Sequence, residues 1–130
     1  MPWRTGMKIS EHFTFKEYAC RCGCQDGSDE CPPSSFLDRL EKVRDECNFP
    51  FIISSWNRCP VHNEFEGGAK SSMHLHGRAV DIIWVSWTGS QKLNFIQSAL
   101  SHGFKGIGIS RMFIHVDDRA PYLSAIWTYG

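Results

Sequence analysis

The chain has 130 residues, with 14 basic and 14 acidic side chains and no formal net charge. That length suits one hydrophobic core and excludes a second domain of ordinary size, so a single domain over 1–130 is expected. Balanced charge provides no field to gather nucleic acid or an anionic bilayer, and no apolar run approaches a membrane span. Neither nucleic-acid binding nor membrane insertion is expected, and a monomer is the expected state.

The opening stretch MPWRTGMKISEHF has no apolar core of signal-peptide length, which predicts cytoplasmic synthesis without a signal peptide. Three of the six cysteines then crowd into CRCGC, as Cys20, Cys22 and Cys24. Next, SSFLDRLEKVRDEC predicts a helix over 35–47. Ser35 serves as its N-cap with Asp38 three residues on, and Phe36, Leu37, Leu40, Val43 and Cys47 form an apolar stripe.

FPFIISS reads as a buried strand, and RCPVHNEFEGGAKSS as a loop with one helical turn, broken at Gly67 and Gly68. AVDIIWVSW is a second strand, rich in β-branched and aromatic residues. SQKLNFIQSALSHG predicts a helix over 90–102, with Leu93, Ile96, Ala99 and Leu100 inward and Gly103 as its stop. GIGIS and MFIHVD are two short strands joined by a tight turn, and AIWTYG is expected to close the sheet.

The chemistry concentrates in SSMHLHGRAVDII. His74 and Asp81 are spaced as H-x6-D, with Gly77 to turn the chain and Asp81 early in a strand that fixes its carboxylate. Imidazole and carboxylate suit zinc, but two ligands do not make a site. The third candidate is His115 in FIHVDDR. In an extended strand His115 and Asp117 share one face while Ile114 and Val116 face the core. A ligand set of His, Asp and His leaves the fourth zinc position open for water, which marks a catalytic rather than a structural site.

These residues carry a resemblance. The pattern S-x-H-x-x-G-x-A-x-D, met by Ser72, His74, Gly77, Ala79 and Asp81, and the later FIHVD resemble the M15 family of zinc D-Ala-D-Ala carboxypeptidases and peptidoglycan endopeptidases. SSWNRCPVHN followed by GGAKSSMH is similar to the SGYRCPxHN…GGAxxSxH segment of that family's phage and bacterial branch, which includes endolysins. The resemblance implies an α+β fold of the hedgehog and DD-peptidase type: a small antiparallel sheet, helices packed on one face and a zinc site on the other, with Asp81 and His115 on neighbouring strands.

It further implies Zn2+ held by His74, Asp81 and His115. Arg58 matches an arginine placed near the substrate carbonyl or carboxylate, where a guanidinium stabilises negative charge, and Ser72 matches a serine that orients the turn before the first ligand. The implied activity is hydrolysis of peptide bonds in peptidoglycan stem peptides by zinc-activated water, at the cell wall. The route there is phage lysis, a virion-associated role or bacterial export without a signal peptide.

The chain also departs from the family pattern. Better-known members carry an acidic base three residues before the last zinc histidine, where this chain has Met112, and Trp56 and Asn57 replace Gly and Tyr of SGYR. Proton transfer is therefore assigned to Asp117, on the face of His115, with His76 as the other candidate; a carboxylate that only holds a ligand histidine is the competing role for Asp117. For Arg58 an ordinary salt bridge competes with a substrate role, and Asp118 and Arg119 read as turn residues or substrate contacts. His12, His62 and His102 read as surface or packing residues. The six cysteines leave three states open: disulfides, a structural zinc site built from CRCGC and CPVH, or free thiols. A second class of function stays beside the enzyme, a zinc-containing binding or signalling module of the same fold without turnover, as in the hedgehog signalling domain.

Overall fold

The computed structural model describes residues 6–24 and 31–129. Gly130, the last residue of AIWTYG, lies outside them. Four helices, α1 (Phe15–Tyr18), α2 (Ser34–Cys47), α3 (Pro60–Phe65) and α4 (Gly89–Ser101), accompany five strands, β1 (Ile52–Ser55), β2 (Ala79–Ile83), β3 (Gly106–Ile109), β4 (Phe113–Asp117) and β5 (Ala125–Thr128). The strands form one sheet in the order β1-β2-β4-β3-β5. An α+β fold was expected, and it is observed.

The sheet is mixed rather than wholly antiparallel, because β5 runs parallel to β3. Both edges of β4 are taken, by β2 and β3. The chain leaving β4 therefore cannot form a hairpin with it; it crosses by way of the short 3-10 turn Pro121–Leu123 to the free edge of β3.

Strand alternation splits the sheet into two faces. Val80, Ile82, Ile107, Ile114 and Val116 enter one core with Phe36, Leu40 and Val43 of α2 and Phe95 and Ala99 of α4. Three details of the elements differ from expectation, two in helices and one in a strand. Ser35 lies inside α2, after an N-cap at Pro33, and its Oγ accepts a hydrogen bond from Arg78 Nη2 at 2.8 Å.

In α4 the inward stripe turns on Phe95, which packs against Phe51 and Trp87 with ring centroids 5.4 Å away in each case. Leu93 and Leu100 are left 56% and 45% exposed. The bulky aromatic gains more by burial than either leucine, and it sets the rotation of the helix. The second predicted strand is also shorter than AVDIIWVSW: it ends at Ile83, and Trp84 and Trp87 fold into a turn closed by Trp87 N–H donating to Trp84 O at 3.0 Å.

The N-terminal segment, unassigned by pattern, carries α1. Thr14 and Glu17 form a reciprocal capping box there, and Phe13, Phe15 and Tyr18 are buried in the core. Trp56 ties this segment to the rest, its ring centroid lying 5.7 Å from Phe13, 5.4 Å from Tyr18 and 5.7 Å from Phe36.

Candidate metal centre

The face of the sheet opposite the helices lines a cleft of about 940 Å³. Its floor is set by three local devices. First, Ser72 caps the 3-10 turn Met73–His76, its Oγ accepting from His74 N–H at 3.2 Å. Second, Gly77 ends that turn at φ +67°, where a Cβ would stand 2.6 Å from Tyr18 Oη. Only glycine accepts both the left-handed backbone and the close approach.

Third, β1 carries a bulge between Ile53 and Ser55. The extra residue rotates Ser55 onto the cleft face opposite Asp81, where its Oγ accepts from Arg58 Nε at 3.0 Å. Without the bulge Ser55 would fall on the core face.

Asp81 and His115 are direct partners across β2 and β4. Asp81 Oδ1 lies 3.1 Å from His74 Nε2 and 2.9 Å from His115 Nδ1. All three side chains are buried, with one ligand atom from each within 4.8 Å of the others.

The outer nitrogens show what this cluster needs. His74 Nδ1 donates to the Trp56 carbonyl oxygen at 2.6 Å, and His115 Nε2 donates to Asp117 Oδ2 at 2.7 Å. Each neutral ring has one N–H, and both are spent outward. Two imidazole lone pairs and a carboxylate oxygen therefore converge on one buried point, an arrangement that a bound cation or a proton would satisfy. The donor set fits a divalent metal of the zinc type.

In the absence of metal a proton meets the same demand. Burial works against a charged His115, but Asp117 and Asp81 outweigh it and raise its pKa above the ordinary imidazole value. Burial likewise opposes ionisation of Asp81, and its hydrogen bonds with His115 and His74 overcome this and hold the carboxyl well below the usual range.

Around this cluster, Arg58 donates from Nη2 to Asp81 Oδ2 at 3.2 Å, so it lies in the cleft and also holds the central carboxylate. Asp117 is 0% exposed. Its Oδ2 accepts from His115 and from Arg119 Nη2 at 2.8 Å, and its Oδ1 from Arg119 Nε at 2.8 Å. Burial raises its pKa, but Arg119 and then His115 outweigh that and drive it far down. This is the arrangement of a carboxylate that holds the His115 ring in place.

His76 is not brought to the cleft. It is exposed on the far side of the turn, lining a separate hollow with Cys24, Cys31 and Cys59. Met112 sits in the β3–β4 turn, 52% exposed. Asp118 pairs with Arg78, through Nε at 3.0 Å and Nη2 at 2.7 Å, and braces the turn from outside.

Three cleft residues had no functional signal assigned in the sequence, Glu66, Trp127 and Tyr129, while Arg119, expected as a turn residue or substrate contact, also lines the cleft. The Trp127 ring centroid lies 5.2 Å from that of His115, and the Arg119 guanidinium carbon lies 4.8 Å from the Trp127 centroid. Gly106 and Gly108 make room for these groups. A Cβ at Gly106 would meet Asp117 Oδ1 at 2.2 Å, and one at Gly108 would meet Trp127 Nε1 at 2.7 Å. The period-two spacing of Trp127 and Tyr129 in AIWTYG was the available signal, since both fall on one face of a strand. Burial, ahead of the opposing hydrogen bond with Trp127, raises the pKa of Tyr129, so its phenol stays protonated at neutral pH.

An α+β fold whose mixed sheet carries a buried His-Asp-His cluster open to a cleft is the class of site that metallopeptidases use. A family profile described as Peptidase M15 matches residues 11–117. The chain belongs to the peptidase M15 family. Comparison with the curated proteins gave no match.

Proposed function

We propose that this peptidase is zinc-dependent and cleaves peptide bonds within peptidoglycan stem peptides, as a D-Ala-D-Ala carboxypeptidase or an endopeptidase acting at the cell wall. The observation that carries the metal part of the reading is the convergence of His74 Nε2, His115 Nδ1 and Asp81 Oδ1 with both outer ring nitrogens already donating. The substrate part rests on family membership and on a cleft that can lodge a short peptide. His74, Asp81 and His115 would hold the zinc, which would supply a Lewis acid able to bring the pKa of a water molecule towards neutrality.

The protein groups divide the remaining work. Arg58 and the Tyr129 phenol both face the cleft and can donate to a carbonyl oxygen as it gains negative charge. Asp117 and Arg119 hold the His115 ring in one tautomer. Proton transfer falls to Glu66: of the described carboxylates on the cleft wall, Asp81 belongs to the cluster and Asp117 is locked by Arg119 and His115. The Glu66 side chain is 46% exposed, with His62 Nε2 at 3.4 Å from its Oε1.

Digestion of purified cell walls, with muropeptides read by mass spectrometry, tests the reading. Release of D-Ala or of cut stem peptides, abolished by a chelator and restored by zinc, is the expected result. Intact walls after incubation with zinc-loaded protein would turn the assignment to the binding-module alternative.

A further inference from the structure

A second group of metal-type ligands lies outside the cleft. Cys20, Cys22, Cys24 and Cys59 offer four sulfurs that all lie within 4.8 Å of one another. Cys22 Sγ is 3.2 Å from Cys20 Sγ and 3.6 Å from Cys59 Sγ. A zinc–sulfur bond of about 2.3 Å puts the sulfurs of a tetrahedral site about 3.8 Å apart. Disulfides would instead draw the sulfurs together in pairs at about 2.0 Å, and none of the described cysteines is joined in one.

We propose that Cys20, Cys22, Cys24 and Cys59 form a structural zinc site that fastens the N-terminal segment to the loop bearing Arg58. The backbone is shaped for it. Gly23, at φ +82°, lets the chain turn back, with its N–H donating to Cys20 O at 3.0 Å, so that alternate residues of CRCGC return to one side. The fourth sulfur comes from 37 residues beyond Cys22, at the N-cap of α3.

Two amides point at sulfurs: Cys59 N–H donates to Cys20 Sγ and His62 N–H to Cys59 Sγ, each at 3.4 Å. Such bonds offset the negative charge that thiolates bring to a metal. With four protein ligands the site is closed, which marks a structural role, and binding releases the four thiol protons to solvent.

The position gives the site its purpose. Cys59 follows Arg58 directly, and Trp56, whose carbonyl fixes His74, lies three residues before Cys59. The site therefore anchors, from outside, the loop that supports two members of the cleft cluster.

The test uses the full chain purified under reducing conditions. Elemental analysis should find about two zinc ions per chain in the wild type and about one in His74→Ala. The cobalt derivative of His74→Ala should show strong visible bands of tetrahedral cobalt together with sulfur-to-cobalt charge transfer. In that background Cys22→Ser and Cys59→Ser should lose the remaining ion, and Cys31→Ser and Cys47→Ser should keep it. Should the Cys59 variant not fold, alkylation of the His74→Ala protein still decides: the four cysteines should resist reagent until a chelator is added. Metal-free His74→Ala, a cobalt spectrum without charge transfer, loss of the ion in Cys31→Ser, immediate alkylation of the four thiols, or a disulfide among them in the native protein would each overturn the site.

Discussion

Replacing Asp117 by Asn separates the two roles that a carboxylate beside His115 can have. The wild-type side chain accepts from His115 Nε2 at 2.7 Å and, through both oxygens, from Arg119 Nη2 and Nε at 2.8 Å each. Asparagine has one acceptor oxygen and an NH2 group, so whichever way the amide turns, an N–H faces an N–H. If the oxygen stays on His115, the bidentate pair with Arg119 is lost; if it stays on Arg119, the His115 ring loses its anchor. A hydrogen bond to a charged group contributes about 1.5–3 kcal/mol. Loss of such support around a metal ligand weakens metal affinity by roughly 10–100-fold, or about 1.4–2.7 kcal/mol. Competition against a fluorescent chelator measures that affinity, and turnover is then taken with zinc saturating. The expected outcome is weakened zinc binding with turnover restored at saturation. Unchanged zinc affinity together with a loss of about 10²–10⁴ in turnover would refute the positioning role and make Asp117 the proton acceptor.

Four further outcomes follow from the same geometry. Glu66→Gln should cut turnover by about 10²–10⁴ while zinc content stays at the wild-type level, and full turnover would remove Glu66 from proton transfer. Tyr129→Phe should lower kcat by about 10², the cost of losing one donor to a developing oxyanion, with the cleft otherwise intact; an effect on KM alone would leave Tyr129 a binding residue. Gly106→Ala should weaken zinc binding through displaced Asp117 and Arg119, which a chelator titration would register, because its Cβ would stand 2.2 Å from Asp117 Oδ1. The last concerns pH. His115 has a raised pKa in the metal-free protein, so its proton stabilises that form fully below the ordinary imidazole value and less as pH rises through the raised one. Zinc needs Nδ1 bare, so its affinity should run the other way, falling about tenfold per pH unit below the raised value. A flat affinity between about pH 5 and 8 would show that His115 takes up no proton when the metal leaves.

What the sequence discloses about this molecule divides along the range of the physics. Strand alternation is local, and it put His115 and Asp117 on the face opposite Ile114 and Val116, as the burial of Ile114 and Val116 in the core bears out. The turn at Gly77 is local too, written in the one residue that tolerates φ +67°. The rotation of α4 was not legible in this way. Its pattern allows a stripe through Leu93 and Leu100 or one through Phe95 and Ala99, and the choice depends on Phe51 and Trp87, which reach it from other parts of the chain. The mixed sheet was hidden for a similar reason: β5 goes to β3 because both edges of β4 are occupied, a fact of the assembled sheet. The bulge in β1 lies at the same limit, since IISS shows no break in pattern and only the register against Asp81 reveals which serine faces the cleft.

The short run SSWNRCP shows how these local and distant terms meet. Ser55 receives Arg58, Trp56 accepts from His74, Arg58 donates to Asp81, and Cys59 joins the sulfur group. The last three contacts join this run to different parts of the chain, so substitution of Arg58 or Cys59 should register at the metal before it registers in global stability. The ring of Trp56 also explains a departure from the family pattern. It fills the space between Phe13, Tyr18 and Phe36, and its Nε1 donates to Gly77 O at 3.0 Å. A glycine there would leave that aromatic cluster without its centre and the Gly77 carbonyl without this donor. Trp56 therefore supports the His74 turn twice, by its carbonyl and by its indole, and only the carbonyl contact is available to every residue type.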